Sequence, residues 1–174
     1  MKTLTDQLSQ YAAYHRDVRN LSTHLVGIPM IVIAVTTLLG RPAFAVDGFT
    51  LSPAVVVAIA TAIYYLLLDL RLGATMAILL AIAVGLGQWF AAMSTPLWLA
   101  AGIALFAVGW ALQFVGHHYE GRKPAFVDDV VGLLIGPLFV TTEVAFMLGL
   151  RAPLQAAIEA RCGPMHGPAD RATT

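Results

Sequence analysis

Five long apolar runs separated by short turns dominate this sequence and limit the folds that it can adopt. The runs cover residues 25–39, 53–68, 72–93, 97–115 and 130–150. A helix that crosses a membrane needs about 20 mostly apolar residues, because the hydrocarbon core is about 30 Å thick. Charged residues make up 11% of the 174 residues and hydrophobic ones 59%, and a soluble domain of this size cannot bury so much apolar surface. The sequence therefore predicts an integral, multi-pass membrane protein, an all-α transmembrane helical bundle of about five membrane segments.

The fifth run is the weakest of the five as a membrane span, because Gly136 and Pro137 interrupt it and Glu143 lies within it. Irregular backbone persists inside a membrane only where protein or water satisfies its polar groups. We therefore expect either a full crossing or a broken, re-entrant helix. Residues 1–150 are expected to form a single membrane-embedded domain, and residues 151–174, which contain several Gly and Pro, a loosely ordered tail.

The N-terminal segment, residues 4–20, is polar but carries apolar side chains at near-helical spacing: Leu4, Leu8, Tyr11 and Val18. This pattern predicts an interfacial helix on the membrane surface, and the segment lacks the apolar stretch of a cleavable signal peptide. The placement of Lys and Arg favours a topology in which this segment and the loop around His117 lie on the cytoplasmic face. Two polar clusters are thereby expected to share one face of the membrane.

Charge and motif content exclude several classes of function. The formal net charge is zero, and there is no basic patch with interleaved aromatic residues, so no nucleic acid partner is expected. Cys162 is the only cysteine, which excludes an intramolecular disulfide framework and a cysteine-based zinc site. The sequence also lacks a phosphate-binding loop, a dinucleotide fingerprint and the zinc-protease motif. A homo-oligomer remains an open alternative.

Four of the five histidines lie in two short windows, and the first window contains Tyr14, His15, Arg16, Asn20 and His24. Asn20 and His24 lie one helical turn apart and share a face. His15 and His24 are nine residues apart and would face opposite sides of one uninterrupted helix, so both reach one centre only if the chain bends between them. The alternative is that these side chains anchor the segment at the headgroup level.

The second window contains His117, His118 and Glu120. His117 and Glu120 have the i,i+3 spacing by which a helix offers two ligands to one metal, and His118 could join them if the helix ends near Gly116. Neutral imidazole is the commonest protein metal ligand and suits iron, zinc or copper. The alternative is a solvated helix end, but such an end gives no reason for the histidines to concentrate in two windows on one face.

Glu143 is an ionisable residue inside an apolar run. Such groups are costly in a membrane and usually face the protein interior or a cavity. Three roles are open for its carboxylate: support for a histidine, a proton path, or an ion pair with Arg122 or Lys123.

The two windows also carry a family resemblance. The segments YAAYHRDVRNLSTHLVGIP and QFVGHHYEGRKPAFVDD, followed by IGPLF and Glu143, resemble the family of yeast-type 2-hydroxy fatty acid dioxygenases over most of the chain, from about Tyr11 to Glu143. The resemblance implies an Fe²⁺-dependent dioxygenase that uses O2 to convert a 2-hydroxy fatty acid into the acid shorter by one carbon, the step called alpha-oxidation. Eukaryotic members reside in the endoplasmic reticulum, and for this chain we expect a bacterial inner membrane.

The resemblance also implies a set of site residues. The histidines that match those of the family, and that are expected to hold iron, are His15, His24, His117 and His118. Glu120 could add a carboxylate ligand, or the site could consist of histidines alone. Arg16 or Arg122 could bind the substrate carboxylate through the two-pronged hydrogen bonding that guanidinium favours, and Glu143 is the remaining candidate catalytic residue. The acyl chain would then lie between helices at bilayer depth.

Two other functions remain open at this level. A small metal-ion or proton transporter could use the same histidines and Glu143, and it would require polar residues in register through several crossings. A structural membrane protein could use the histidines as interfacial anchors only. Replacement of His24 or His117 separates the last alternative from a metal enzyme, because the bound metal is lost only if these residues are ligands.

Overall fold

The structure is a computed structural model that describes residues 2–41, 43–46, 49–124 and 131–167. Within these ranges the chain is built almost entirely of helices, which confirms the predicted all-α class. The elements, in order, are α1 (Leu4–Ala12), α2 (Val18–Leu38), β1 (Phe44–Val46), β2 (Phe49–Leu51), α3 (Pro53–Leu68), α4 (Leu70–Ala91), α5 (Thr95–Glu120), α6 (Gly132–Met147) and α7 (Ala152–Cys162). The strands β1 and β2 form a short antiparallel hairpin between α2 and α3, with Phe44 opposite Leu51; the apolar pattern did not predict it.

Three helices are long and apolar enough to cross a membrane: α2 with 21 residues, α4 with 22 and α5 with 26. Helices α6 and α7 together would form a fourth span, but the chain bends by 115° between them. Helix α3 is apolar and has 16 residues, which at about 1.5 Å per residue is shorter than the hydrocarbon core. The predicted count of about five segments is therefore refined to three or four candidate spans and one shorter apolar helix.

The helix boundaries differ from the sequence prediction at two places. The N-terminal helix ends at Ala12 and not at residue 20, and α2 begins at Val18, before the predicted start of the first apolar run at residue 25. Pro29 therefore lies inside α2. Helix α6 continues through Pro137, and the break falls after it, where Gly149 and Arg151 adopt left-handed backbone angles (φ 72° and 60°). The predicted start of this run, residue 130, lies outside the described residues.

The prediction of a loosely ordered C-terminal tail is wrong for Ala152–Cys162, which form α7. Ile158 on this helix is buried, with 1% of its surface exposed. The guanidinium of Arg161 pairs with Asp6 of α1 at 2.8 Å. Gly and Pro residues at the ends of the segment suggested disorder, but the apolar and charged contacts of α7 hold the helix against α1.

Contacts divide the chain into two compact units. Unit 1 consists of Met1–Ile28 and Ala111–Thr174, and α1 packs there against α6 and α7. Unit 2 is Pro29–Trp110, in which α3 packs against α4. Within unit 2, the Trp98 indole donates to the Thr37 carbonyl at 2.7 Å. The expectation that residues 1–150 form a single domain stays a prediction.

Candidate metal centre

The connection between α1 and α2, residues 13–17, is called here the histidine loop because it carries His15. Helix α1 tightens at its end: the amides of Tyr14 and His15 donate to the carbonyls of Tyr11 and Ala12 at 3.1 and 2.9 Å. Asp17 then caps α2, since its Oδ1 accepts from the Arg19 amide at 2.8 Å, as is usual for Asp before a helix. The chain thus bends between His15 and His24, which is the condition under which both side chains can reach one centre.

This bend brings His15 and His24 together with His117 of α5, and these three residues are called here the histidine cluster. Their ring centroids lie 4.7 to 5.0 Å apart. One ring nitrogen from each lies within 4.8 Å of the others, an arrangement that could hold a metal ion. The side chains are buried, with 0, 1 and 7% of the residue surface exposed. The prediction that the two histidine windows meet is confirmed.

Hydrogen bonds fix the tautomers of two members of the cluster. Nδ1 of His15 lies 2.7 Å from the Tyr11 carbonyl oxygen, and Nδ1 of His24 lies 2.9 Å from the Asn20 carbonyl oxygen. Carbonyl oxygens only accept, so both Nδ1 atoms donate and both Nε2 atoms present a lone pair. This is the arrangement by which proteins orient histidine ligands of metals.

The two Nε2 atoms of His15 and His24 are 3.2 Å apart. Two lone pairs facing each other repel, and a cation between them removes the repulsion. Two imidazole nitrogens that each lie about 2.0–2.1 Å from one metal ion are separated by about 3 Å, so the observed spacing fits a pair of ligands. Nδ1 of His117 is buried and has no hydrogen-bond partner among the described residues. The residues of the cluster therefore fit a metal ion.

Gly116 allows α5 to approach α2 closely beside the cluster. A Cβ atom at this position would overlap the side chains of Thr23 and Asn20 and lie 3.0 Å from Nδ1 of His24. A glycine here is therefore a packing requirement for the site. The sequence prediction treated Gly116 as a point where the helix could end, but α5 continues to Glu120.

Because α5 remains helical, His118 points about 100° away from His117. Its side chain is exposed, and it is not a member of the histidine cluster. The structure does not bring this predicted ligand to the other three.

Glu120 is also outside the cluster, although the i,i+3 spacing suggested a ligand pair with His117. Its Oε1 accepts from the Arg16 amide at 3.0 Å, and its Oε2 accepts from the Asp17 amide and from Asn20 Nδ2, each at 2.9 Å. The carboxylate is thus bonded to the histidine loop and to α2.

The two arginines proposed as carboxylate anchors have different surroundings. Arg16 is buried; its Nε donates to the carbonyl of Ala12 at 3.0 Å, and its Nη2 contacts Glu143 Oε1 at 3.3 Å. Arg122 is exposed and donates from Nη1 to the Ala13 carbonyl at 2.8 Å. Glu143 is therefore paired with Arg16, and not with the predicted partners Arg122 or Lys123.

Two aromatic residues of the site were not identified as such from the sequence. The Tyr11 ring stacks on His15 with centroids 4.1 Å apart and planes within 2°, and Phe139 of α6 lies 5.5 Å from the His15 ring. The i,i+4 spacing of Tyr11 and His15 could have indicated the first contact, whereas no local pattern indicates Phe139. Burial raises the pKa of Tyr11, so its hydroxyl keeps its proton.

Burial also sets the charge of His15. Desolvation, followed by the neighbouring imidazole of His24, lowers the pKa of His15 well below its usual range, because a charged imidazolium loses hydration there. His15 is therefore neutral in the folded protein at neutral pH, which is the form that binds metals.

Comparisons with known proteins identify relatives of the chain. Residues 1–148 match the family model described as "2-hydroxy-palmitic acid dioxygenase Mpo1-like". The 2-hydroxy-palmitic acid dioxygenase MPO1 of Saccharomyces cerevisiae is 31% identical over 158 residues, which cover 90% of this chain and 87% of the yeast protein. No solved structure matches the chain.

Proposed function

Since the chain belongs to the Mpo1-like family, we propose that it is an Fe²⁺-dependent dioxygenase that shortens 2-hydroxy fatty acids by one carbon. The observation that carries the proposal is the histidine cluster, in which three buried imidazoles converge within 4.8 Å. In the proposed reaction the bond between C1 and C2 of the substrate breaks and C2 becomes a carboxyl group. O2 is reduced, and CO2 and water leave, so that atoms and electrons balance.

The donor set fits a redox-active metal such as iron or copper, and we choose iron on the family resemblance. Imidazole ligands suit iron, copper and zinc, but zinc has no redox chemistry, and a dioxygenase needs a metal that changes oxidation state. When bound to His15, His24 and His117, Fe²⁺ would supply open coordination positions at which O2 and a 2-hydroxycarboxylate can bind.

The residues around the cluster support the same chemistry. The Tyr11 ring and Phe139 cover His15 on its apolar side, which keeps water away from the ligands and strengthens electrostatic contacts in the site. The carbonyls of Tyr11 and Asn20 hold the Nδ1 protons of His15 and His24, so that these imidazoles stay neutral and oriented.

We assign the binding of the substrate carboxylate to Arg122 in preference to Arg16. The guanidinium of Arg16 is buried and is already bonded to Ala12, His15, Gly163 and Glu143. Arg122 is exposed, and its bond to the Ala13 carbonyl holds it beside the histidine loop. A guanidinium can bind a carboxylate through two parallel hydrogen bonds. Arg16 and Glu143 then serve as a buried ion pair that supports the site.

The apolar helices support a lipid environment for both enzyme and substrate. Three described helices are apolar and long enough to cross a membrane, and a long-chain fatty acid partitions into the same layer. We place the protein in a bacterial inner membrane, and cell fractionation tests this location.

The function is tested by loading the purified protein with Fe²⁺ without oxygen and then adding 2-hydroxypalmitate and O2. We expect release of the fatty acid one carbon shorter, together with CO2, in the wild-type protein and in the His118→Ala variant. The His24→Ala variant should produce neither. A wild-type protein that binds one iron per chain but forms no shortened acid would contradict the proposal.

A further inference from the structure

Of the three histidines in the cluster, His15 is the one that lies on a loop, whereas His24 and His117 lie within α2 and α5. Helical hydrogen bonds hold the backbone of the latter two. Ordering a loop residue costs backbone entropy that a helical residue has already lost when its helix forms. The position of His15 therefore depends on the bonds that hold the histidine loop.

One edge of this loop is bonded to Glu120 at the end of α5. Both carboxylate oxygens are used: Oε1 accepts from the Arg16 amide at 3.0 Å, and Oε2 from the Asp17 amide at 2.9 Å. Asn20 Nδ2 adds a third donor at 2.9 Å. An ionised carboxylate is acceptor-only, and hydrogen bonds to it are about twice as strong as neutral ones. Glu120 thus matches three converging N–H donors.

The opposite edge of the same segment is bonded to the C-terminal region. The His166 amide donates to the Arg16 carbonyl at 2.9 Å, and the Val18 amide donates to the His166 carbonyl at 3.1 Å. The backbone next to His15 is therefore bonded on both edges. Because the second edge does not involve Glu120, loss of the carboxylate is expected to loosen the loop without unfolding the protein.

We propose that Glu120 is a positioning residue: its carboxylate holds the histidine loop so that His15 faces His24 and His117 before a metal ion binds. This inference rests on the proposed function in that the histidine cluster is taken as the metal site. It replaces the ligand role that the His117–Glu120 spacing suggested with a role in pre-organising a neighbouring ligand.

The isosteric change Glu120→Gln tests this role. The amide has one acceptor oxygen and one NH2 group, so its NH2 group must face at least one of the three donors. At least one of the three hydrogen bonds is lost, and the Gln NH2 group then faces an N–H donor of the histidine loop or α2. The side-chain volume is almost unchanged. Glu159→Gln on α7 is the matched control, because Glu159 is also half-buried and accepts a side-chain bond, from Gln155 at 2.8 Å.

The first measurement is hydrogen exchange of the metal-free protein. In Glu120→Gln we expect faster amide exchange in peptides that cover residues 13–18 and unchanged exchange in α4, whereas Glu159→Gln should match wild type around residues 13–18. Unchanged exchange of residues 13–18 in Glu120→Gln would overturn the proposal. This measurement needs no bound metal, so it tests whether Glu120 holds the histidine loop separately from the proposed function.

The second measurement is Co²⁺ binding, followed by the visible absorption of the bound ion. We expect Glu120→Gln to raise the Kd for Co²⁺ by roughly 10- to 100-fold, the usual cost of losing an outer-shell partner, with an unchanged spectrum at saturation. A Kd within twofold of wild type, or a changed spectrum that marks Glu120 as a ligand, would overturn the proposal. Failure of the wild-type protein to bind Co²⁺ would contradict the proposed metal centre, while the exchange result would still decide whether Glu120 holds the loop.

Glu120→Asp provides a second variant if the Gln variant does not fold. It keeps the charge and both acceptors but shortens the reach by one methylene group. We expect a smaller rise in Kd than for Gln and the same saturated spectrum. A Kd for the Asp variant equal to that of wild type, together with unchanged exchange, would contradict the need for three aligned bonds.

Discussion

The two compact units of the chain differ in where they place charged residues. In unit 2, the described charged residues are Arg41, Asp69 and Arg71, and all are at least partly exposed. Unit 1 buries Arg16, Asp17 and Glu143 with 6, 0 and 6% of their surface exposed, in addition to the histidine cluster. A buried polar group without a partner costs about 1–3 kcal/mol. Unit 1 therefore depends on hydrogen bonds and ion pairs that match buried charged groups, whereas the buried polar side chains described in unit 2 are the uncharged Thr36, Thr37 and Ser52.

Unit 2 exposes many large apolar side chains, as a lipid-facing bundle does, and unit 1 also exposes some, such as Met147 and Leu148. Leu67, Leu70 and Ile78 are 68, 74 and 62% exposed. Close helix contact occurs through small residues: a Cβ at Gly87 would overlap the backbone of Thr36. Association in a membrane relies on such packing, because lipid tails are as apolar as the helices. The buried charged residues and the histidine cluster thus lie in unit 1, which is where the proposed metal centre is located.

The largest effect is expected for removal of a cluster histidine. In His24→Ala and His117→Ala, the affinity for iron should fall by more than the roughly 100-fold that loss of an outer-shell partner causes. Elemental analysis of loaded and desalted protein should then find far less iron per chain than in wild type. The exposed His118→Ala variant should keep the wild-type iron content. An iron content of His24→Ala equal to that of wild type would contradict the assignment of the metal centre to the histidine cluster of unit 1.

The next largest difference is expected in the free energy of unfolding when an isoleucine is truncated to alanine at a buried site and at an exposed site. Ile158→Ala in unit 1, where the residue is 1% exposed, should lower the free energy of unfolding by about 2–5 kcal/mol through lost contacts and a cavity. Ile82→Ala in unit 2, where the residue is 55% exposed, should change it much less, because no cavity forms. Denaturant titration in detergent micelles measures both, and equal losses would show that α7 is not docked.

Glycine replacement compares helix packing in the two units. Gly116→Ala places a Cβ against Asn20, Thr23 and His24, so we expect about 1–3 kcal/mol of destabilisation and weaker metal binding. Gly85→Ala meets nothing within 4 Å and should stabilise α4 by up to about 1 kcal/mol. The same titration, with metal affinity measured beside it, checks this pair. A neutral Gly116→Ala would contradict the close approach of α5 to α2.

The smallest expected effect is a pH dependence from His15. Its pKa is lowered in the folded state, so below the ordinary value of 6.5 the unfolded chain binds a proton that the folded chain does not. The metal-free protein should therefore lose stability as pH falls below that value, and this contribution should be constant above it. We expect a smaller loss in His15→Gln when unfolding midpoints are compared from about pH 8 to about pH 5. Equal slopes would contradict the buried, neutral state of His15.

Much of unit 2 could be predicted from the sequence, because apolar periodicity and turn residues set helix positions there. The predicted second run and α3 share their bounds, and the predicted third run, 72–93, lies within two residues of Leu70–Ala91 at each end. A helix that faces lipid needs only a long run of apolar residues, so the apolar pattern is sufficient to predict where such a helix lies. Two features of unit 2 differ from the prediction: the count of spans, because length and not composition limits α3, and the hairpin of β1 and β2, which lies outside the apolar runs.

The site in unit 1 could be predicted in part. Clustered histidines, together with the bend required between His15 and His24, anticipated the cluster. Glu120 was predicted as a ligand from its spacing to His117, and His118 from its place beside His117 and from the family resemblance. Neither argument says whether α5 continues past Gly116 or which donors face Glu120. Contacts of Phe139 and Ile158 depend on how distant segments pack, which no local pattern encodes.

The most direct test of the account is X-ray absorption spectroscopy at the iron edge of the loaded, full-length protein. We expect one iron per chain, with imidazole scattering from three histidines at about 2.0–2.2 Å, and loss of one imidazole or of all bound iron in His15→Gln. Iron surrounded by oxygen ligands alone, or a spectrum that is identical in wild type and His15→Gln, would contradict it.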